Sequence, residues 1–303
     1  MMNILVLKQQ LKNFYEKFDI YIVSVLKFLG AFIALTLINS NIGYMSRLNN
    51  SAVVLIVALI CSFLPVGGTV LICALFVLAH FYTISFELAL ITLCIYILMF
   101  TLFLRFESKE SYVILLTPIL FLLKIPYAVP LLVGLIGGFY SAIPVSFGVV
   151  LYYLIIYVKN NAAVLSNSDA ENILQRFTLI IDSIMHNDLM ILTVVVFSIT
   201  VIVVYFIKRL SIDYSWSIAI GIGAATNIVF MLVGSFLLDI SGNVVSTIFG
   251  TVISAGIVYI LQFFIFAVDY SRTERIQFED DDYVYYVKAV PKVNVTAVQV
   301  NIK

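Results

Sequence analysis

Three long apolar segments near the end of the chain constrain its fold more than any other feature. They cover about residues 189–207, 215–238 and 244–268. At about 1.5 Å per helical residue, each can cross a hydrocarbon core of roughly 30 Å. Backbone polar groups in lipid are satisfied only in helices or closed barrels, so these segments predict transmembrane helices. A fourth apolar segment, Ile20–Ile38, is followed by no small-x-small cleavage site, and we expect it to remain as the first span.

The composition supports an all-α membrane protein in a cell membrane. Of the 303 residues, 63% are hydrophobic and 11% are charged, whereas a soluble domain has roughly 25% charged residues. One soluble core cannot bury so much apolar surface, so the lipid bilayer is the expected partner. A net charge of zero gives no basis for nucleic-acid binding. The three cysteines (Cys61, Cys73 and Cys94) lie in apolar runs without a CxxC pair, so we expect neither a metal nor a cofactor.

The apolar pieces between residues 51 and 158 are shorter, with breaks at residues 65–69 and 124–130. A twelve-residue helix reaches only about 18 Å, roughly half a membrane. Two architectures remain open. One has six spans and two re-entrant helical hairpins; the other has eight spans, with each broken pair forming one kinked helix. The order of short helix, break, short helix and longer helix occurs in both 51–105 and 111–158, which predicts an inverted repeat.

The placement of lysine and arginine predicts that both termini are cytoplasmic, because short cytoplasmic loops are enriched in positive charge. In the six-span architecture, the outer side has only Arg47, Lys159 and Arg176. The cytoplasmic side collects Lys8, Lys12, Lys17, Arg105, Lys109, Lys208, Arg209, Arg272, Arg275, Lys288, Lys292 and Lys303.

Three segments outside the spans also have readable patterns. Residues 1–18 predict a cytosolic amphipathic helix ahead of a transmembrane domain over 19–268. Residues 168–187 predict an outer amphipathic helix that begins with a capping box at Ser168–Glu171. Residues 269–303 form a cytosolic tail in which alternating valines between Val293 and Val300 predict one or two strands.

The sharpest functional candidate is Lys124, because a charge within a membrane is costly unless it is hydrated or paired, and such residues commonly mark functional sites. In the re-entrant architecture, both breaks would meet near the midplane, where two helix N-termini and an ammonium could bind an anion. The residues predicted to form this site are Lys124, Pro65, Gly67, Gly68, Thr69, Pro126 and Pro130. The alternative interpretation places Lys124 at the membrane interface.

For the other polar residues in apolar segments, a structural role is considered before a functional one. Lys27 is predicted to extend toward the headgroups. Glu87 is either an interfacial carboxylate or a partner for a lysine or coupling cation. Asn227 is predicted to form an interhelical hydrogen bond, and the Gly221–Gly223 segment to allow close helix packing. His80 and His186 are far apart and no HExxH or GxSxG motif occurs, so we expect no enzyme.

The tail from Phe278 to Lys292 (FEDDDYVYYVKAVPK) resembles the end of uncharacterised polytopic membrane proteins of clostridial-type bacteria. This resemblance implies a bacterial plasma membrane and no activity. The leading hypothesis for function is a transporter or channel-like permease for a small anion or phosphate-bearing solute. The alternative is a non-transporting scaffold or assembly component, or the membrane subunit of an ATP-driven exporter. Further partners would be a second copy of the chain or a cytosolic protein at residues 270–303.

Overall fold

The computed structural model describes residues 2–104, 110–166, 173–212, 214–240, 244–265, 274–279 and 284–289. The chain forms two compact units, residues 24–259 and residues 1–23 with 260–303. The helices are α1 (Met2–Ile42), α2 (Ser51–Phe63), α3 (Val66–Tyr82), α4 (Phe86–Leu104), α5 (Tyr112–Leu122), α6 (Ala128–Ile136), α7 (Ala142–Ser166), α8 (Ile173–Met185), α9 (Asp188–Lys208), α10 (Ser215–Leu237) and α11 (Val244–Ile265). A 3-10 turn at Phe139–Ser141 precedes α7, and the strands are β1 (Glu274–Glu279) and β2 (Val284–Ala289).

Among the described residues, five helical segments are long and apolar enough to cross a membrane. They are Lys17–Ile42, Phe139–Ala163, Asp188–Lys208, Ser215–Leu237 and Val244–Ile265. This confirms the all-α class and the apolar segments predicted at both ends of the chain. The described apolar part of α4, Phe86–Thr101, is shorter than these five.

The pair α2 and α3 folds back on itself and is named the first hairpin. At one end, His80 Nε2, near the end of α3, donates to Asn39 Oδ1, near the end of α1, at 2.9 Å. At the other end, Lys27 Nζ donates to the carbonyl oxygen of Leu64, just after α2, at 3.1 Å. Lys27 and Asn39 lie twelve residues apart on α1, which corresponds to about 18 Å. The chain therefore runs along α1 in one direction through α2 and returns through α3.

The pair α5 and α6 also folds back and is named the second hairpin. Glu110, just before α5, accepts a hydrogen bond at Oε1 from the backbone N–H of Gly138, just after α6, at 3.1 Å. The turn between the helices lies at Tyr127, whose hydroxyl donates to Thr247 Oγ1 of α11 at 3.4 Å. Because each broken pair reverses direction, neither pair is one continuous kinked helix.

The two hairpins open in opposite directions. A Cβ on Gly67 would lie 3.7 Å from Ser111 Oγ, so α3 and α5 begin side by side. One turn further along each helix, Val70 and Ile114 share an apolar cluster. Since α3 runs parallel to α5, the first arm of one hairpin is antiparallel to the first arm of the other. This arrangement is what an inverted repeat requires, and duplication as its origin stays a prediction.

The contact of α6, α9 and α10 centres on Val204, which is fully buried. A Cβ on Gly134 of α6 would lie 2.7 Å from Val204 Cβ, and a Cβ on Gly223 of α10 would overlap Val204 Cγ2. Glycine on both neighbours therefore lets the three helices approach closely. Close packing was predicted for the Gly221–Gly223 segment, and it holds for Gly223, whereas nothing lies within 4 Å of a Cβ on Gly221.

The elements at the ends of the chain follow the sequence patterns. The N-terminal helix is interrupted at Phe18 (φ −121°, ψ 24°), where the amphipathic segment was predicted to end. Strands β1 and β2 pair antiparallel, with Glu274 opposite Ala289 and Glu279 opposite Val284, and both precede the valines from which strands were predicted. The valines predicted to form a strand after residue 290 lie outside the described residues, and so does the capping box at 168–171.

Helix α8 packs its buried Ile180 into the same apolar cluster as Leu88.

Candidate functional site

A peptide group held between two opposite charges forms the most developed polar site in the described part of the chain. Lys208 Nζ donates to the carbonyl oxygen of Gly137 at 2.7 Å and to that of Leu135 at 2.8 Å. The N–H of Gly138, on the same peptide group as the Gly137 carbonyl, donates to Glu110 Oε1. Ser141 Oγ donates to Glu110 Oε2. We name Glu110, Gly137, Gly138, Ser141 and Lys208 the Gly137 clamp.

The Gly137 clamp provides hydrogen-bond partners for backbone groups at the end of α6, which lies among apolar side chains. The last carbonyls of α6 have no partner within the helix. Lys208 satisfies two carbonyl oxygens at this end, where the helix dipole also favours a cation. Glu110 is buried, and its carboxylate accepts from a backbone N–H and a hydroxyl, as a buried charge requires. The ammonium and carboxylate thus polarise one peptide group from both sides.

Gly137 leaves room for this arrangement. A Cβ at this position would lie 2.9 Å from Glu110 Oε1 and 3.0 Å from the Val133 carbonyl oxygen, and closer still to Ser141 Oγ. The φ of Gly137 is −87°, so its backbone conformation is open to any residue. Space for the carboxylate, rather than conformation, is therefore the reason for glycine.

A second polar cluster surrounds His80, which is fully buried. The backbone N–H of Met45 donates to His80 Nδ1 at 3.1 Å, and Nε2 donates to Asn39 Oδ1. Asn39 Nδ2 in turn donates to the Leu48 carbonyl oxygen at 2.9 Å. An Nδ1 that accepts carries no proton, so the imidazole is neutral with its proton on Nε2. The cluster fastens the 43–50 loop and the end of α3 to α1, which is a structural role.

The first break contains the predicted residues Pro65, Gly67, Gly68 and Thr69. Pro65 is the N-cap of α3, and its carbonyl oxygen accepts from the N–H groups of Gly68 and Thr69. Thr69 Oγ1 donates back across the break to the Cys61 carbonyl oxygen at 3.4 Å. The bonds from Thr69 and Lys27 thus satisfy the carbonyls of Cys61 and Leu64 at the end of α2. Lys27 therefore contributes to this break, and its extension toward the headgroups stays a prediction.

The second break contains the predicted residues Lys124, Pro126 and Pro130. Lys124 is exposed and has a left-handed backbone (φ 64°). Its neighbour Tyr127 contacts Thr247, which lies three residues after the start of α11. At about 1.5 Å per residue this is only about 5 Å from the helix end. The Tyr127 ring also lies 6.2 Å from the ring of Phe197, the tenth residue of the 21-residue α9. The turn therefore packs beside the middle of α9 as well, and the depth of Lys124 in the membrane stays a prediction.

The two breaks do not meet, contrary to the prediction. Gly67 of the first break lies beside Ser111, at the start of α5, whereas Lys124 follows the end of α5. Helix α5 has 11 residues, so the breaks are separated by about 16 Å. A single anion site that joins Lys124, Pro126 and Pro130 with the residues of the first break is therefore not formed.

Glu87 and Asn227 were the remaining candidates. Ser85 Oγ donates to Glu87 Oε2 at 2.5 Å, and Glu87 is buried in the first turn of α4, where the helix dipole favours an acidic group. Asn227 is fully buried in α10, and neither atom of its amide has a hydrogen-bond partner among the described residues. The interhelical hydrogen bond predicted for Asn227 is therefore wrong.

No family model, curated protein or solved structure matches this chain. The Gly137 clamp was not predicted from the sequence, and Lys208 was counted only among the cytoplasmic charges. Glu110 and Lys208 stood in charged segments between apolar runs, where they resembled ordinary loop charges. The available signal was the Gly137–Gly138 pair directly after a short apolar helix, which marked a close approach without naming its partners.

Proposed function

We propose that the chain is a membrane transporter of the permease type in a bacterial plasma membrane, with both termini in the cytoplasm. Helices α1, α4, α7, α9, α10 and α11 would be the six spans, and the two hairpins would be re-entrant. The observation that carries the proposal is the pair of hairpins that open in opposite directions. Transporters built from inverted repeats place broken helices in this way around their substrate path.

The lengths of the hairpin arms support re-entry. The arms of the first hairpin have 13 and 17 residues, and those of the second have 11 and 9. At about 1.5 Å per residue they reach roughly 13 to 26 Å, less than a hydrocarbon core of roughly 30 Å. Each hairpin would enter from its own face of the membrane and return to it, so each face has one element whose movement could open a path.

The charges at the hairpin ends support an anionic cargo, a small anion or a phosphate-bearing solute. Lys27 lies at the turn of the first hairpin, Lys124 at the turn of the second, and Lys208 at the base of the second. Ammonium groups at helix breaks attract anions in apolar surroundings. The Gly137 clamp would hold the second hairpin closed until Glu110 or Lys208 changes its partner.

A reversible lock between the hairpins tests this proposal. Gly67→Cys and Ser111→Cys are introduced together after Cys61, Cys73 and Cys94 have been replaced by alanine, and the protein is reconstituted in vesicles. Uptake of radiolabelled inorganic phosphate and of chloride is measured. We expect protein-dependent uptake that stops on oxidation and returns on reduction, while each single-cysteine variant is insensitive to the oxidant. Full uptake by the oxidised double variant, or no protein-dependent flux of either anion, contradicts the proposal.

Side-specific labelling tests the re-entrant placement separately. Val66→Cys and Tyr127→Cys mark the turns of the two hairpins in the same cysteine-free background. A membrane-impermeant maleimide should reach the two positions from opposite sides of sealed vesicles. Labelling of both from one side contradicts the placement, even if the protein transports anions.

A scaffold is the second candidate function, favoured by the surface of β2. Tyr286 is 78% exposed and Val284 is 49% exposed, so the strand presents apolar side chains to a partner. Affinity purification with and without residues 270–303 distinguishes the candidates. Loss of a stoichiometric cytosolic partner, together with unchanged thermal stability of the truncated chain and no anion flux, favours the scaffold.

A further inference from the structure

An apolar cavity lies between the two hairpins and three further helices, and it is lined by residues of α1, α3, α4, α5 and α7. About 530 Å³ of space without protein atoms lies within it, including the part that is open at its side. The lining is aliphatic apart from Cys73, Met99 and Tyr96. It belongs to none of the polar clusters described above, and it is the part of the molecule where both hairpins face one space.

The cavity has the length of a hydrocarbon chain within one leaflet. Its lining runs from Val70 to Val77 along α3 and from Ile114 to Leu122 along α5. Eight residues of helix correspond to about 12 Å, close to half of a hydrocarbon core of roughly 30 Å. An apolar cavity of this kind excludes water and accepts apolar matter.

One side of the cavity is continuous with the apolar outer surface. Leu37 and Leu122 line it and are only partly buried. Their neighbours Ile33 and Leu123 are 44% and 49% exposed. In a bilayer such a surface is covered by acyl chains, so lipid is what meets the opening.

Two exposed lysines stand at one end of the cavity. Lys159 follows the lining residue Ile155 by one turn of α7, and its Nζ donates to Asn41 Oδ1 at 2.8 Å. Asn41 follows the lining residue Ile38 by three residues on α1. Lys124 follows the lining residue Leu122 by two residues. An ammonium has three N–H donors, and Asn41 takes one from Lys159, so both lysines have donors to offer a phosphate.

We propose that this cavity binds one acyl chain of a phospholipid, whose phosphate is held by Lys124 and Lys159. The proposal goes beyond the transport function, because the lipid need not move. An acyl chain gains little hydrophobic free energy when it leaves lipid for an apolar cavity, since lipid tails are as apolar as leucine. Preference for the site therefore comes from the two lysines, which makes them the decisive residues.

Photolabelling of the full chain in phosphatidylcholine vesicles tests the proposal. The probe is phosphatidylglycerol with a diazirine near the end of one acyl chain. We expect cross-links concentrated on residues 70–77 and 114–122. Each lysine near an anionic surface contributes roughly a fivefold preference, so Lys124→Gln with Lys159→Gln should lower this yield by about tenfold or more. Arg209→Gln, which removes an exposed cation elsewhere, is the matched control and should leave the yield unchanged.

Two comparisons distinguish the contribution of the acyl chain from that of the phosphate headgroup. Diacylglycerol with the same diazirine chain lacks the phosphate and should label the cavity weakly. Ala74→Phe fills the cavity and should abolish labelling. If this core variant does not fold, the lysine variants still test the proposal, because they change only exposed residues. Equal labelling of the cavity and of the exposed face of α11, equal labelling by diacylglycerol, or an unchanged yield in the double lysine variant overturns the proposal.

Discussion

The contact at Val204 makes a quantitative prediction for two glycines of α10. Gly221→Ala and Gly223→Ala add the same methyl group two residues apart in one helix. Nothing lies within 4 Å of a Cβ on Gly221, whereas a Cβ on Gly223 would overlap Val204 Cγ2 and lie 2.8 Å from Leu131 Cδ2. Val204 has little room to move, because α6 also packs closely against it: a Cβ on Gly134 would lie 2.7 Å from Val204 Cβ.

The magnitude follows from two terms. Alanine is a better helix former than glycine by about 1 kcal/mol, and this gain applies equally to both positions. Overpacking a tight core contact costs about 1–3 kcal/mol and applies only to Gly223→Ala. The difference between the two variants cancels the helix term, so Gly223→Ala should be about 1–3 kcal/mol less stable than Gly221→Ala.

Thermal or denaturant unfolding of the purified protein in detergent measures this difference. Gly221→Ala should melt at or above the temperature of the wild type, and Gly223→Ala clearly below Gly221→Ala. Addition of Val204→Ala to Gly223→Ala should recover part of the loss, because it removes the methyl groups that collide. Equal stability of the two glycine variants would refute the packing of α10 against α9 and α6.

Three further substitutions test the polar contacts. Asn227→Leu should raise stability or leave it unchanged, because an unpaired buried amide costs about 1–3 kcal/mol; a loss above about 2 kcal/mol in thermal unfolding would reveal a partner for the amide. Ser141→Ala removes a donor to the Glu110 carboxylate and should cost about 1.5–3 kcal/mol, whereas Ser183→Ala on exposed α8 is the control with no comparable effect. Lys27→Met leaves the Leu64 carbonyl without its donor and should cost about 1–3 kcal/mol, and a Lys27→Met variant as stable as wild type would remove that bond from the account of the first hairpin.

The helices of the C-terminal half were predictable because their apolar runs are long enough to decide the structure alone. The ends of the short helices were also predictable, since Pro65 and Pro126 interrupt apolar sequence at those positions. The direction of the chain after each break was not. It is fixed by the bonds of Lys27 to Leu64 and of Glu110 to Gly138, and such contacts between distant residues leave no periodic pattern.

The candidate site was harder to predict than the fold. Lys124 stood out because its flanks are apolar. Apolar flanks do not show which residues lie nearby, and the 11-residue α5 holds Lys124 about 16 Å from the first break. Asn227 looked like a helix-packing residue because a buried amide usually finds a partner. Glu110 and Lys208, which do form a buried polar site, looked like residues of solvated loops.

The Gly137 clamp also dictates an order of assembly. Lys208 lies 71 residues after Gly137, so ribosomes complete the second hairpin well before α9 exists. During that interval the Leu135 and Gly137 carbonyl oxygens lack the hydrogen bonds that Lys208 donates in the folded protein. We therefore expect the end of the second hairpin to reach its final packing only after α9 has been synthesised.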